Sequence, residues 1–288
     1  MINKVQIFDI ETLVEQFLAT FYNPETQQWK EFSINRNENQ LFELVNYLNE
    51  NDFSYLVGFN NCSFDAQVLE FILRYHEKWV DLTNLEIARI ISEFAQECIS
   101  RSNYGLFPFF REEFFTNRHI DLFKIHHFDN ENRRTGLKWL EFMMDLPDVE
   151  EMPVHFLKTD LTNEEIQIVK NYCRNDVIAT YKFYLYTIGE VDDEIYKGKN
   201  KVQDRLDTIE EYGLPITAIN WSDVRIGDEL NLLGYTKLTG LGKNQIYDKK
   251  YSRGATKKFK FKDCIPDYVE FVTPEFKKFH LIFSHEIS

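Results

Sequence analysis

The spacing of apolar positions divides most of the chain into short strands and longer helices. Lys4–Asp9 is a run of β-branched and aromatic residues and is predicted to be a strand. Leu13–Tyr22 and Trp29–Ile34 flank the turn-forming sequence NPET, so they are predicted to form a hairpin. Tyr55–Phe59 and His119–Phe123 are predicted to be core strands. Helical spacing predicts five further segments, at residues 39–49, 63–75, 85–99, 136–144 and 163–187.

Strands that alternate with helices favour an α/β protein, in which helices cover the faces of a mixed β-sheet. The pattern changes near Gly189. Residues 194–231 have a helical pattern, whereas residues 232–288 are predicted to be β-rich because alternation and a short apolar run occur within them. We therefore predict a first domain over residues 1–190 and a C-terminal extension over residues 191–288.

The composition is typical of a globular protein with a buried core, since 43% of residues are hydrophobic and 28% are charged. The four cysteines are scattered and form no Cys-x-x-Cys pair, so we expect neither a structural zinc site nor a disulfide framework. The sequence begins directly with a strand-like segment and contains no long apolar run. A cytoplasmic protein without a membrane span is therefore expected.

Charge is distributed unevenly around a formal net charge of −14. Residues 1–236 are strongly acidic, but residues 237–288 hold 11 basic and 6 acidic side chains. The segment 249–262 has seven basic residues, three aromatic residues and no acidic residue. Such a segment suits contact with a phosphate backbone and with bases, and Lys257, Lys258 and Lys260 are the predicted contacts. The alternative is a solvated hairpin whose charged edges prevent edge pairing.

Asp9 and Glu11 are the most informative local feature of the sequence. Residues two apart in a strand share a face, so both carboxylates project to the same side of the first strand. Two negative charges held together repel each other unless a cation lies between them. Carboxylate oxygens select hard divalent cations such as Mg²⁺, Mn²⁺ or Ca²⁺. The pair therefore predicts a metal site.

Two later segments add acidic residues. Asp65 follows the predicted strand at residues 55–59, at a strand-to-helix junction where α/β proteins commonly build sites. The alternative is that Asp65 only stabilises the start of its helix. Tyr172 and Asp176 are four residues apart on a predicted helix and share a face, where they could hold a water beside a metal. A half-buried tyrosine beside an exposed aspartate is the alternative.

In this order, the segments FDIET, GFNNCSFD and YCRNDVIATY resemble the DEDD superfamily of 3′→5′ exonucleases, in its tyrosine-containing subclass with an RNase H-like fold. The chain is most similar to the proofreading domains of family B DNA polymerases, especially those of phages, over roughly residues 4–188. The resemblance implies that Asp9, Glu11, Asp65 and Asp176 hold two Mg²⁺ or Mn²⁺ ions and that Tyr172 orients the attacking water. The implied substrate is the 3′ end of single-stranded DNA.

The resemblance also implies that Thr12, Asn61 and Phe64 hold the terminal nucleotides, although Phe64 equally suits the apolar face of its helix. Asp121 is interpreted as a structural residue. Protein-primed phage polymerases use a lysine between the second and third motifs. Lys158 is the candidate for that role here, without a clear motif match.

Other functions remain compatible with the motifs. The substrate could be RNA, or the chain could be a nuclease-like module that binds nucleic acid or a polymerase region. It could also be an unrelated α/β binding protein. We find no polymerase palm motif such as Tyr-x-Asp-x-Asp. We therefore expect either a stand-alone exonuclease or the N-terminal part of a larger replication protein.

Overall fold

The computed structural model describes residues 4–50, 53–130, 132, 135–147, 149, 151–251, 273–274 and 276–278. Its six strands are β1 Val5–Leu13, β2 Gln16–Asn23, β3 Gln28–Asn35, β4 Glu38–Asn39, β5 Tyr55–Gly58 and β6 His119–Asp121. Its α-helices are α1 Leu41–Glu50, α2 Asp65–Tyr75, α3 Asn84–Asn103, α4 Leu122–Ile125, α5 Leu137–Met143, α6 Asn163–Ile188, α7 Lys201–Tyr212, α8 Asp223–Thr239 and α9 Lys243–Tyr251.

The strands form one sheet in the order β4-β3-β2-β1-β5-β6. Tight turns join β1, β2, β3 and β4 into an antiparallel meander. The strands β5 and β6 run parallel to β1, each reached through helical connections, as parallel pairing requires. The predicted α/β class with a mixed sheet flanked by helices is confirmed. The strand order is compatible with the predicted RNase H-like fold.

Both faces of the sheet are covered because side chains alternate along its central strand. Phe8 and Ile10 on β1 belong to a buried cluster that includes residues of α1, α2 and α3. Ile7 points to the other face and belongs to a second cluster with Val177 of α6. The acidic residues of β1 therefore lie on the face that α6 covers.

The hairpin, the first three helices and α6 occur where the sequence predicts them. The predicted strand 119–123 is shorter than expected. It ends at Asp121, whose carboxylate accepts hydrogen bonds from the backbone N–H groups of Phe123 and Lys124 and so starts α4. The helix predicted from Ser63 begins instead at Asp65, after a 3₁₀ turn at Asn61–Ser63.

The prediction of β-rich structure from residue 232 onward is wrong for residues 232–239 and 243–251, which lie in α8 and α9. The β pattern came from residues 257–262 and 279–283, which lie outside the described residues and do not determine the structure of residues 232–251. The predicted contacts Lys257, Lys258 and Lys260 also lie outside them. Among the described residues, no helix combines the length and apolar character that a bilayer crossing requires.

The chain forms two compact units, which divide between Asp228 and Glu229. Arg205 of α7 shows why residues beyond 190 pack with the first unit. Its buried guanidinium donates to the carbonyl oxygens of Ile219 and Ile125, at 3.0 and 3.2 Å, and ion-pairs with Asp223 at 2.5 Å. A functional division near residue 190 stays a prediction.

Candidate metal-binding carboxylate site

The site forms where β1 extends beyond its parallel neighbour. The pairing with β5 covers only Val5–Ile7, so the remainder of β1 lacks a strand partner on that side. Asp65, the first residue of α2, lies against this open edge and accepts a hydrogen bond from the backbone N–H of Ile10. This contact brings the start of α2 beside the acidic part of β1.

Asp9 and Glu11 project from the same face of β1, as their spacing predicts. Possible ligand atoms of Asp9, Glu11 and Cys173 lie within 4.8 Å of one another. Both carboxylates are half-buried, so they are enclosed by protein but reachable by a small ion. This group is compatible with a divalent metal ion.

Cys173 is a member of this group that the sequence reasoning did not select. Its Sγ lies 3.6 Å from the carbonyl oxygen of Asp9 and 3.7 Å from Asp9 Oδ2. Burial, and then the negative charges of Asp9 and Glu11, raise the pKa of the Cys173 thiol well above its ordinary value. The sulfur therefore stays protonated and donates weakly to Asp9, whereas a hard cation prefers the carboxylate oxygens.

The electrostatics of the site show that its carboxylates are crowded. Burial, followed by repulsion from Asp65, Glu11 and Asp176, raises the pKa of Asp9 well above its ordinary value. Burial, and then repulsion from Asp176 and Asp65, does the same to the pKa of Glu11. The four side chains are thus close enough to oppose one another's ionisation. A cation would relieve that repulsion.

Asp65 and Asp176 border the group from two different helices. Asp65 is almost fully buried, and burial together with the charges of Asp121 and Asp176 raises its pKa to about 7. Burial also raises the pKa of Asp176, but hydrogen bonds and charge from Lys138 and a hydrogen bond with Tyr172 act in the opposite direction. The structure therefore brings together all four carboxylates that the sequence selected.

Tyr172 lies one turn before Asp176 on α6, and the two side chains are hydrogen-bonded. Burial, and then the negative charge of Asp176, raises the pKa of the Tyr172 hydroxyl. The hydroxyl is therefore protonated at neutral pH. It can donate a hydrogen bond and orient a water, but it is a poor base.

Lys138 supplies the positive charge of the site, and the sequence reasoning missed it. Its Nζ lies 2.5 Å from Asp176 Oδ1, 3.0 Å from Glu141 Oε1 and 4.4 Å from the centre of the Tyr172 ring. Lys158, the candidate lysine, instead ion-pairs with Glu165 in the first turn of α6, so the structure places Lys138 and not Lys158 beside Asp176. The helical spacing of Lys138 and Glu141 was an available signal, but it did not indicate what the helix packs against.

The three residues predicted to hold nucleotides do not join the carboxylates. Thr12 is buried, and alternation on β1 directs it to the face opposite Asp9 and Glu11. Asn61 is fully buried, with its Nδ2 atom 3.2 Å from Nδ1 of His119. Phe64 packs against the core cluster of α1, α2 and α3, which supports its alternative interpretation as a core residue. Substrate contacts by these residues stay predictions.

Asp121 is structural, as predicted. Its two carboxylate oxygens accept hydrogen bonds from the backbone N–H groups of Asn60 at 2.9 Å and Cys62 at 3.1 Å, besides those that start α4. Its own backbone N–H donates to Asn220 Oδ1 at 2.9 Å. These bonds tie the loop before α2 to β6 and thereby fix the position of Asp65.

Comparison with solved structures shows a distant likeness. The chain is similar in structure to the family B DNA polymerase from the hyperthermophilic archaeon Pyrobaculum calidifontis, with 14% sequence identity and a TM-score of 0.49. The alignment covers 82% of this chain and 29% of the polymerase chain. No protein-family model matches the sequence, and no curated protein matches it.

Proposed function

We propose that the chain is a metal-dependent 3′→5′ exonuclease that hydrolyses phosphodiester bonds at the 3′ ends of single-stranded DNA. The main support is the convergence of Asp9, Glu11, Asp65 and Asp176, where burial, and then repulsion between carboxylates, raises the pKa values of Asp9, Glu11 and Asp65. A structural role would not require four adjacent carboxylates in one half-buried site. The cluster lies beyond the carboxyl end of β5 and along the extension of β1, a position that α/β proteins favour for sites.

Asp9, Glu11, Asp65 and Asp176 would hold two Mg²⁺ or Mn²⁺ ions, because carboxylate oxygens are the ligands that these ions prefer. When bound, such ions stabilise the charge on the attacking and leaving oxygens and lower the pKa of water. The residues present suit this role, since the cluster offers hard oxygen donors and the only sulfur in the group is protonated.

The remaining side chains would position the attacking water and offset negative charge. The protonated Tyr172 hydroxyl would hold the attacking water by a hydrogen bond, while its contact with Asp176 fixes its direction. Lys138 places a positive charge next to Asp176, where it would offset the negative charge of a phosphodiester. Glu141 fixes the Lys138 ammonium from the other side at 3.0 Å.

We assign DNA as the substrate, and replication or proofreading in a phage as the setting, on the resemblance of the three motifs. Thr12, Asn61, Phe64, Lys257, Lys258 and Lys260 remain the proposed contacts to the strand, and a polymerase region is the proposed partner. Asn61 and Thr12 would have to become accessible when a strand binds, because both are buried in this structure.

The test compares one single-stranded oligonucleotide carrying a label at its 5′ end with the same strand labelled at its 3′ end. With Mn²⁺, a 3′→5′ exonuclease releases the 3′ label first and shortens the 5′-labelled strand stepwise. EDTA should stop both reactions. Endonucleolytic fragments, digestion from the 5′ end or full activity in EDTA would contradict the proposal. The same assay with RNA decides which polymer is preferred.

A further inference from the structure

A groove lined by aromatic and basic side chains lies in the first unit, outside the carboxylate cluster. It encloses a volume of about 740 Å³. Phe107 and Trp221 lie on its wall together with Arg111 and Arg225. None of these four residues belongs to β1, α2 or α6, the elements that carry the four carboxylates. The carboxylate site therefore does not account for these side chains.

The segment that leads into the groove exposes large apolar side chains. Tyr104, Leu106 and Phe107 are 79%, 54% and 88% exposed. Large apolar side chains that cluster on a surface commonly mark an interaction site. Phe109 is also partly exposed, and the Arg101 guanidinium lies 4.3 Å from the centre of its ring.

A second part of the groove lining repeats this arrangement. The Arg225 guanidinium lies 4.0 Å from the centre of the Trp221 ring. A guanidinium that stacks on a ring keeps its N–H donors in its own plane, where they can reach phosphate oxygens. The groove lining thus combines the aromatic rings of Phe107 and Trp221 with the guanidinium groups of Arg111 and Arg225, the combination that binds bases and phosphates of a single strand.

Each acidic residue of the groove has a hydrogen-bond or ion-pair partner. Glu112 ion-pairs with Lys124 and accepts a hydrogen bond from Asn220 at 3.2 Å. Asp129 lies 2.9 Å from His127. Arg111 and Glu113 are 3.9 Å apart, and both are exposed, so this weak pair can exchange for a phosphate contact. The groove is therefore more favourable to a polyanion than the acidic chain around it.

A second cavity of about 160 Å³ adjoins the groove. The two cavities share Pro108, Phe109, Glu112 and Lys124. The second cavity also reaches Ser63, two residues before Asp65. The adjoining cavities thus lie between the groove and the turn that precedes α2.

We propose that this groove binds the single strand upstream of its 3′ end, with bases stacked on Phe107 and Trp221 and phosphates held by Arg111 and Arg225. The proposal rests on the proposed exonuclease function, since it assigns the path of that enzyme's substrate. It extends the recognised strand beyond the terminal nucleotides at the carboxylates.

The test uses the full chain and a fluorescent oligothymidylate of about 20 nucleotides, longer than a typical single-strand site of roughly 4–16 nucleotides. Binding is measured by anisotropy in EDTA, so hydrolysis plays no part. The groove variant is Phe107→Ala/Arg225→Ala, which changes two exposed side chains. The matched control, Phe42→Ala/Lys78→Ala, changes an exposed aromatic and an exposed cation that do not line the groove.

The groove variant should bind with a Kd about 10-fold to 100-fold higher than the wild type, with a salt dependence of log K shallower by about 1. The control should match the wild type in both. A groove variant that binds like the wild type would overturn the proposal and reassign the exposed aromatic segment to a protein contact. A wild type that does not bind the strand would also overturn it.

The same proteins distinguish this proposal from the proposed function. Groove-dependent binding by a wild type that releases no nucleotide with Mn²⁺ would refute the exonuclease alone. The groove alone would be refuted if the wild type released nucleotides from both a trinucleotide and the long strand, while the groove variant matched it in two quantities. These quantities are the Kd for the long strand and the ratio of kcat/KM for the long strand to kcat/KM for the trinucleotide.

Discussion

Lys138 and Asp176 form the closest charged contact of the carboxylate site, with Nζ and Oδ1 2.5 Å apart. The contact joins α5 to α6 and places one positive charge among four carboxylates. Lys138 lowers the pKa of Asp176 and of Glu11 relative to the effect of burial alone. It thereby favours the ionised carboxylates that a cation requires.

Replacing this lysine should impair hydrolysis more than folding. Lys138→Met keeps the aliphatic chain but removes the charge. We expect kcat to fall by about 100-fold, as when other stabilising groups are removed from an active site. Rapid-quench assays on labelled DNA measure the effect. Lys158→Met, which removes only the partly exposed ion pair with Glu165, is the control and should retain activity. Equal losses in both variants would refute the assigned role.

Tyr172→Phe should separate orientation of the water from metal binding. The variant loses the hydroxyl that is hydrogen-bonded to Asp176 but keeps the ring beneath Lys138. We expect kcat to fall roughly 10-fold to 100-fold with little change in KM, because the hydroxyl would act on the water and not on substrate binding. Tyr212→Phe, at an exposed position on α7, is the control. A Tyr172→Phe enzyme with full kcat would show that the hydroxyl has no part in the reaction.

The sequence predicts the members of the site that local periodicity determines. Asp9 and Glu11 share a face because strands alternate, and Tyr172 and Asp176 share one because helices repeat every 3.6 residues. Lys138 could not be selected in this way, since its role depends on how α5 packs against α6. Asn220 shows more strongly that a contact set by tertiary packing cannot be predicted from local periodicity. It accepts from the backbone of Asp121 although the two residues are far apart in sequence.

Burial explains the remaining differences between sequence and structure. Asn61 and Thr12 have side chains suited to sugar or phosphate, but the packing of β1 and the turn before α2 encloses them. The prediction for residues 232–251 extended a strand pattern from a later segment into α8 and α9, where it did not apply. A pattern of apolar residues is informative only over the residues that display it.

Asp65 should make the metal-free protein less stable as pH rises. Its pKa is 3.8 in ordinary surroundings and about 7 in the folded chain. Between these values the folded state holds a proton that the unfolded state has lost, so raising pH favours unfolding. Below 3.8 the effect vanishes, and above about 7 the loss is complete. The full loss is on the order of 4 kcal/mol.

The measurement is thermal unfolding in EDTA and in Mn²⁺ across this pH range, for the wild type and Asp65→Asn. The difference in stability between the two proteins isolates the effect of Asp65, because both proteins contain the other titrating groups. One of these is the buried His119, whose pKa is lowered to about 3 and whose effect on stability has the opposite pH dependence. The stabilisation by Mn²⁺ should grow with pH as carboxylates ionise. A wild type whose stability relative to Asp65→Asn rises with pH in EDTA would contradict the assigned environment.

Asp121→Asn should destabilise the fold. The carboxylate accepts backbone hydrogen bonds on both oxygens, and an amide nitrogen cannot accept the bond from Cys62. We expect a loss of about 1–3 kcal/mol in the free energy of unfolding, measured by urea denaturation. Asp192→Asn, at a side chain that is 97% exposed, is the control and should change little. Unchanged stability of Asp121→Asn would show that these bonds contribute little.

The central claim is that Asp9 and Glu11 hold the metal that hydrolysis needs. The test measures the stepwise shortening of a 5′-labelled single strand with Mn²⁺, which reports the nucleotides removed from its 3′ end. It compares the wild type with Asp9→Asn/Glu11→Gln. Each substitution keeps the shape of its side chain and removes a charge. The wild type should shorten the strand from its 3′ end, and the folded variant should be inactive at every Mn²⁺ concentration. Equal nucleotide release by the two proteins would contradict the account.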